Sequence, residues 1–291
     1  LLNTFILFKK DLPMKNILAV TTFNKEGLDL YGQRFLNSFA ENVDKEIRLI
    51  CYAEKCQPEN PSPNNILILD QEEALPDLVR FKKTWQDVPM ATGTCPWPQR
   101  RPRDHHKTFK WDAIRFSNKV YAVFDACERA EDWCVWIDAD SYVHSPWSYE
   151  EFSSILPDNV WLTYVGRGKA SATWPECGFY GLKVSDAKCR QFVANFKYMY
   201  ENANIGIFKL EEWHDSYVFG HVLDKFKQMY PDMHDYTKDM MLKQASTGGG
   251  GHPLINTVLG KWIDHLKGDR KRLQKSKKND LTVHRAEKYW N

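Results

Sequence analysis

The chain has 291 residues, with 40 basic and 38 acidic side chains and a formal charge of +2. That length fits one α/β domain with peripheral insertions, and so even a charge balance excludes nucleic acid or a membrane surface as a partner demanded by overall composition. Seven cysteines, an odd number without a CxxC pair, exclude a zinc ribbon and point to a reducing, cytoplasmic setting.

Leu1–Phe8 is too short an apolar run to span a bilayer and lacks a small-residue cleavage site. Residues 1–13 read as an extension or edge strand, with the fold starting near Met14. NILAVTTF, Asn16 to Phe23, is apolar and β-branched, the pattern of a buried strand. Leu28, Tyr31, Phe35, Leu36 and Phe39 recur at helical spacing, and IRLICYAE from Ile47 and NILILD from Asn65 read as two more strands. Between Pro76 and His106 periodicity breaks up around Pro89, Gly93, Pro96, Pro98 and Pro102, predicting an irregular insertion over about 86–107.

Trp111, Ile114, Phe116, Val120, Val123, Phe124 and Cys127 predict a helix from Phe109 to Ala130. It delivers the chain to WCVWIDADSYV, Trp133 to Val143, a strand that begins as an unbroken apolar run and turns abruptly acidic. NVWLTYV is a further strand, followed by a loop with Arg167 and Lys169, and WPECGFYGLKVS a strand turning back. Helices are expected from about Ser185 to Tyr200 and from Asp215 toward Lys227. The glycine-dense Thr247–Gly251 predicts a flexible hinge or ligand-closing loop. One catalytic domain over 14–271 and a basic tail over 272–291 complete the organisation.

The chemistry lies in Asp138-Ala139-Asp140. In open α/β sheets, ligands bind at the carboxyl ends of the strands, where this triplet falls. A nucleotide diphosphate leaving group carries negative phosphates that a divalent cation stabilises. Hard ions such as Mn²⁺ or Mg²⁺ prefer oxygen ligands and keep positions open for phosphate. Asp140 is expected as a direct ligand, and Asp138 as a ligand through water or a holder of ribose hydroxyls. Such a triplet is common in any sequence; its place after a hydrophobic strand gives it force.

Three features in order resemble the GT-A fold glycosyltransferases: a first strand ending in Thr21-Thr22-Phe23, a helix containing Lys110-Trp111-Asp112-Ala113 and Arg115, and Trp136-Ile137-Asp138-Ala139-Asp140. The resemblance covers Asn16 to about Lys271. It implies a Rossmann-like, mostly parallel central sheet flanked by helices. It further implies a nucleotide-sugar donor, often UDP-linked, with Thr21, Thr22 and Phe23 near the base and Arg115 among the donor contacts. Glu176-Cys177-Gly178-Phe179 sits where such enzymes place a turn facing donor and acceptor, with Gly178 letting backbone approach a substrate. Asp215, before a helix, is the expected general base for an acceptor hydroxyl or simply the helix N-cap, with Glu212 as its substitute.

Asp264–Lys271 resembles the late His-x-x-Gly-x-x-Lys element of glycogenin-like retaining transferases, without its aromatic and Pro-Trp flanks. Carried over, His265 is the third metal ligand, Lys271 a diphosphate contact, and Lys267 a sharer of that role. The Asp215 base suits inversion and the late element retention, so both outcomes stay open. A glycan is the expected acceptor; the basic stretches Gln99–Lys107 and Gly268–Lys278 also suit an anionic acceptor such as nucleic acid, although charge runs are usually solvated surface. Two rivals remain. A nucleotidyltransferase acting on a sugar phosphate usually carries a glycine-rich loop where TTFNKEG stands, and a non-catalytic carbohydrate or nucleic-acid binding protein would keep the fold without turnover.

Overall fold

A computed structural model describes residues 14–168, 174–240 and 252–291; the N-terminal extension, Lys169 and the Thr247–Gly251 run lie outside the described residues. Nine strands follow in chain order among those described: β1 (Ile17–Asn24), β2 (Arg48–Glu54), β3 (Ile66–Asp70), β4 (Trp133–Ile137), β5 (Ser141–Val143), β6 (Leu162–Val165), β7 (Glu176–Lys183), β8 (Met233–Asp235) and β9 (Ile263–His265). Seven form one sheet in the order β3-β2-β1-β4-β7-β6-β8. Among them β7 alone runs against its neighbours, so the sheet is mostly parallel. Helices flank both faces, as the GT-A resemblance implies.

Period-two alternation divides β1 between two cores. Leu18 and Val20 pack with Val120, Phe124, Phe192 and Val218 from the helices Ala113–Arg129, Ala187–Glu201 and Asp215–Met229. Ile17 and Ala19 face the other way, onto Phe35, Leu36 and Phe39 of the helix Gln33–Asn42, with Phe152, Leu254 and Ile263. A sheet covered on both faces needs apolar residues at successive positions, which is why β1 and β4 read as unbroken hydrophobic runs.

The predicted strand Trp133–Val143 is two strands in two sheets. Its apolar half, β4, pairs with β1 and β7, whereas β5 pairs antiparallel with β9 in a separate small sheet. Between them the triplet turns: the Asp138 amide donates to the Gly178 carbonyl at 2.9 Å, and the Ser141 amide to the Asp138 carbonyl at 3.1 Å. The chain leaves the large sheet where its side chains stop being apolar. β9 was not anticipated, and its register sets His265 opposite Ser141.

Three other expectations are modified. The helix predicted from Phe109 starts at Ala113, capped by the Asp112 carboxylate on the Arg115 amide at 3.0 Å, after a 3-10 turn over Thr108–Trp111. Asp215 is not the N-cap of its helix; His214 is, and Asp215 is the first helical residue. The segment 272–291 is packed rather than trailing. Trp290 is buried with Nε1–H on the Gly260 carbonyl at 2.7 Å, Tyr289 donates to Asp264 at 2.8 Å and stacks on His144, and Arg270 pairs with Asp280. No helix among the described residues is long and apolar enough to cross a membrane.

Candidate active site

The acidic turn opens onto a cavity of about 1010 Å³ at the carboxyl ends of β1 and β4. Asp138 and Asp140 reach it because the turn after β4 points both carboxylates the same way, with Ala139 between them. β9 supplies the third member: His265 Nε2 lies 3.3 Å from Asp138 Oδ2 and 3.2 Å from Asp140 Oδ1. One ligand atom from each residue falls within 4.8 Å of the others. The Leu266 amide donates to the Asp140 carbonyl at 2.7 Å, locking β9 to the turn.

Two carboxylate oxygens and one imidazole nitrogen converging on a point fit a divalent cation of the Mn²⁺ type. The groups behind them are built to suit. His265 Nδ1 faces Glu176 Oε1 at 3.8 Å, beyond hydrogen-bond reach, so this carboxylate acts on the ring through its charge. Glu176 is itself held by Lys267 and by Arg167 at 3.2 Å. Gly178 makes room for the imidazole; a Cβ there would lie 2.6 Å from His265 Cε1.

The cluster is strongly polarised. Burial opposes charge on His265, but the carboxylates of Asp140 and Asp138 outweigh it and push its pKa up to about 9. Burial likewise works against ionised Asp138, yet Lys119 and His265 hold its carboxyl far below the usual range. Asp140 is held down against burial by His265 and Lys271, the latter at 2.9 Å. Glu176 is held low by Lys267 and Arg167, again against burial.

Of the other expected residues, Phe23, Arg115, Asp215, Lys267 and Lys271 line the cavity. Lys271 also sits 4.9 Å from the Tyr31 ring. Thr22 lines it as well, but its hydroxyl is engaged by the Tyr52 carbonyl and Gln71, each at 2.7 Å. Thr21 is fully buried and faces the core, not the cavity. Gly178 lies behind His265, where it meets the ring rather than a ligand. Glu212 is also outside the lining, buried against Lys110 at 2.8 Å and His214 at 3.2 Å.

The basic loop is partly neutralised from within: Arg101 pairs with Glu211 and Glu212, and Lys107 with Asp104 at 2.9 Å.

Sequence reasoning missed Lys119 and Trp136. Lys119 Nζ bridges Asp138 at 2.9 Å and Asp215 at 2.8 Å, donates to the Cys177 carbonyl and lies 4.7 Å from the Trp136 ring. Trp136 Nε1–H donates to Asp138 Oδ1 at 2.6 Å. A signal existed: Lys119 lies one helical turn after Arg115, on the same face of a helix leading into the acid-tipped strand. All seven cysteines are unpaired.

No family model and no curated protein matches the chain. Among solved structures it is similar to mouse xyloside xylosyltransferase 1 in its apo form, with 9% identity over 75% of this chain and 84% of that one, at a TM-score of 0.43. It is similar also to the apo WbbM bifunctional glycosyltransferase, with 12% identity over 76% of this chain and 38% of that one, at a TM-score of 0.41. Likenesses this distant leave the functional reading to the site itself.

Proposed function

We propose that this chain is a metal-dependent glycosyltransferase that moves a sugar from a nucleotide-sugar donor, UDP-linked, to an acceptor hydroxyl. The observation that carries the reading is the convergence of Asp138, Asp140 and His265 on one point of a cavity large enough for such a donor. Asp138, Asp140 and His265 would hold Mn²⁺ or Mg²⁺, which when bound neutralises charge on the departing diphosphate.

The protein's own groups supply the rest. Lys271, paired with Asp140, and Lys267, paired with Glu176, place ammonium groups on the same wall, and the exposed Arg115 adds a guanidinium, so a diphosphate held at the cation site meets positive charge on that side. Trp136 and Lys119 fix Asp138 in one orientation, a preorganisation that keeps the ligand carboxylate from turning to solvent. Asp215, held by the same lysine, faces the cavity as the acidic group for an acceptor hydroxyl.

The test is release of free nucleoside diphosphate from a panel of nucleotide sugars in the presence of Mn²⁺. UDP release that stops on chelation and in Asp140→Ala is expected. Release of pyrophosphate from a nucleoside triphosphate and a sugar phosphate would replace this reading with a nucleotidyltransferase, and binding without turnover would replace it with a non-catalytic protein.

A further inference from the structure

The cavity has two unlike ends. Around β1 it is lined by Thr22, Asn24, Tyr31 and Glu54; beyond the acidic cluster it is walled by Phe109, Phe116, Trp174 and His214. Those rings form one continuous surface. His214 lies 5.6 Å from Phe109, 5.9 Å from Phe116 and 4.9 Å from Trp174, centroid to centroid. Phe109 is 41% exposed, a large apolar ring left open to the cavity instead of being buried in either core. An open aromatic ring on a cavity wall marks a ligand contact more than a packing site.

The wall is also rigid. His214 caps its helix through Nδ1 on the Tyr217 amide, and its Nε2 meets Glu212 at 3.2 Å, so the imidazole at the centre of the cluster is tied on both sides. Glu212 is in turn paired with Lys110 at 2.8 Å, and Lys110 lies 5.6 Å from the Trp174 ring. The buried carboxylate therefore acts as a brace for the aromatic surface.

Charge selects the ligand class. Three cations around this end are paired with carboxylates, Lys110 with Asp104 and Glu212, Arg101 with Glu211 and Glu212, and Lys119 with Asp138 and Asp215, while the exposed Arg115 lies 5.7 Å from the Phe116 ring. An anion against the rings would have to compete with those carboxylates for the three cations. A pyranose ring would not, because its axial C–H face needs only an apolar partner while its hydroxyl edge needs polar ones. Asp215 and Ser216 stand beside the rings on the cavity wall and supply that edge.

We infer that this end is the acceptor subsite and takes the apolar face of an uncharged pyranose, stacked on Trp174 and Phe109 with a hydroxyl turned toward Asp215. The acceptor role rests on the transferase reading; the ring-binding site does not, and the experiment separates them. Saturation-transfer NMR on the full chain, without donor, would use methyl glycosides of glucose, galactose, mannose and xylose, each added separately. At least one glycoside should receive saturation through its ring protons, and its affinity should weaken about fivefold or more in Trp174→Ala and in Phe109→Ala. Phe109 is half open, so its variant folds even if the Trp174 variant does not. Asp140→Ala should keep glycoside binding while losing donor turnover, which tells failure of the subsite from failure of the transferase reading. Absence of binding by all four glycosides, unchanged affinity in Phe109→Ala, or displacement of the glycoside by inorganic phosphate or a short oligodeoxynucleotide would overturn the inference.

Discussion

Gly178 and His265 are in contact across two sheets: a Cβ added at Gly178 would sit 2.6 Å from His265 Cε1 and 2.7 Å from Nδ1. Gly178 belongs to β7 of the large sheet and His265 to β9 of the small one, so the absent side chain leaves room for the imidazole where the two sheets meet. Gly178→Ala should push the imidazole off the Asp138–Asp140 point while leaving the fold intact. Mn²⁺ affinity, measured by calorimetry, should fall by about tenfold or more, the scale seen when the groups that orient a metal ligand are disturbed. Unchanged affinity would show that His265 does not ligate.

The raised pKa of His265, about 9 against an ordinary 6.5, makes cation binding a proton exchange. At pH 7 the ring is an imidazolium bridging two carboxylates, and Nε2 must lose its proton before it can bind a metal. Mn²⁺ binding should therefore release about one proton at pH 7, read from calorimetry in buffers of different ionisation enthalpy. Apparent affinity should climb with pH and level off near the folded pKa. In the metal-free protein the sign reverses. A raised folded pKa gives stability that is complete below 6.5 and is lost as pH rises through about 9. Urea midpoints from about pH 6 to about pH 9.5 without metal should fall across that window and fall less in His265→Asn.

Lys119 neutralises two carboxylates at once, the buried Asp215 and the partly buried Asp138. Removing one partner of a buried ion pair leaves charge without a counterpart, a loss of about 3–5 kcal/mol. Lys119→Met should cost that order of stability in urea unfolding and abolish donor turnover, whereas Lys119→Arg should recover most of the stability. A Met variant as stable as the parent would mean that the bridge contributes nothing.

Trp290 closes the fold from the far end of the chain, buried with its indole N–H on the Gly260 carbonyl. Its neighbour Tyr289 holds Asp264, which also accepts from the Ser276 amide at 2.8 Å, and Asp264 immediately precedes His265. Trp290→Ala should destabilise the chain by about 3–5 kcal/mol, as large-to-small changes of buried aromatics do. Because β9 is anchored by the same segment, Mn²⁺ affinity should weaken in parallel. Loss of stability with full metal affinity would mean that the C-terminal segment supports the core alone.

What the sequence by itself determined is local. Strands β1 and β4 were legible because burial on both faces demands uninterrupted apolar residues, and the acidic turn was legible because Asp138 and Asp140 interrupt such a run at its end. The helix over Ala113–Arg129 was legible from its helical period. What tertiary structure decided is everything that depends on which distant segments meet. The β5–β9 pairing that sets His265 beside Ser141 is three residues long, too short to leave a periodic trace. Lys119 acquires its role only because the fold sets two aspartates beside it, and residues 272–291, expected as a basic tail, are held in place through Trp290 and Asp280. A side chain's charge is written in the sequence, but the field it experiences is set by neighbours brought near through folding, so the roles of these residues become readable only in three dimensions.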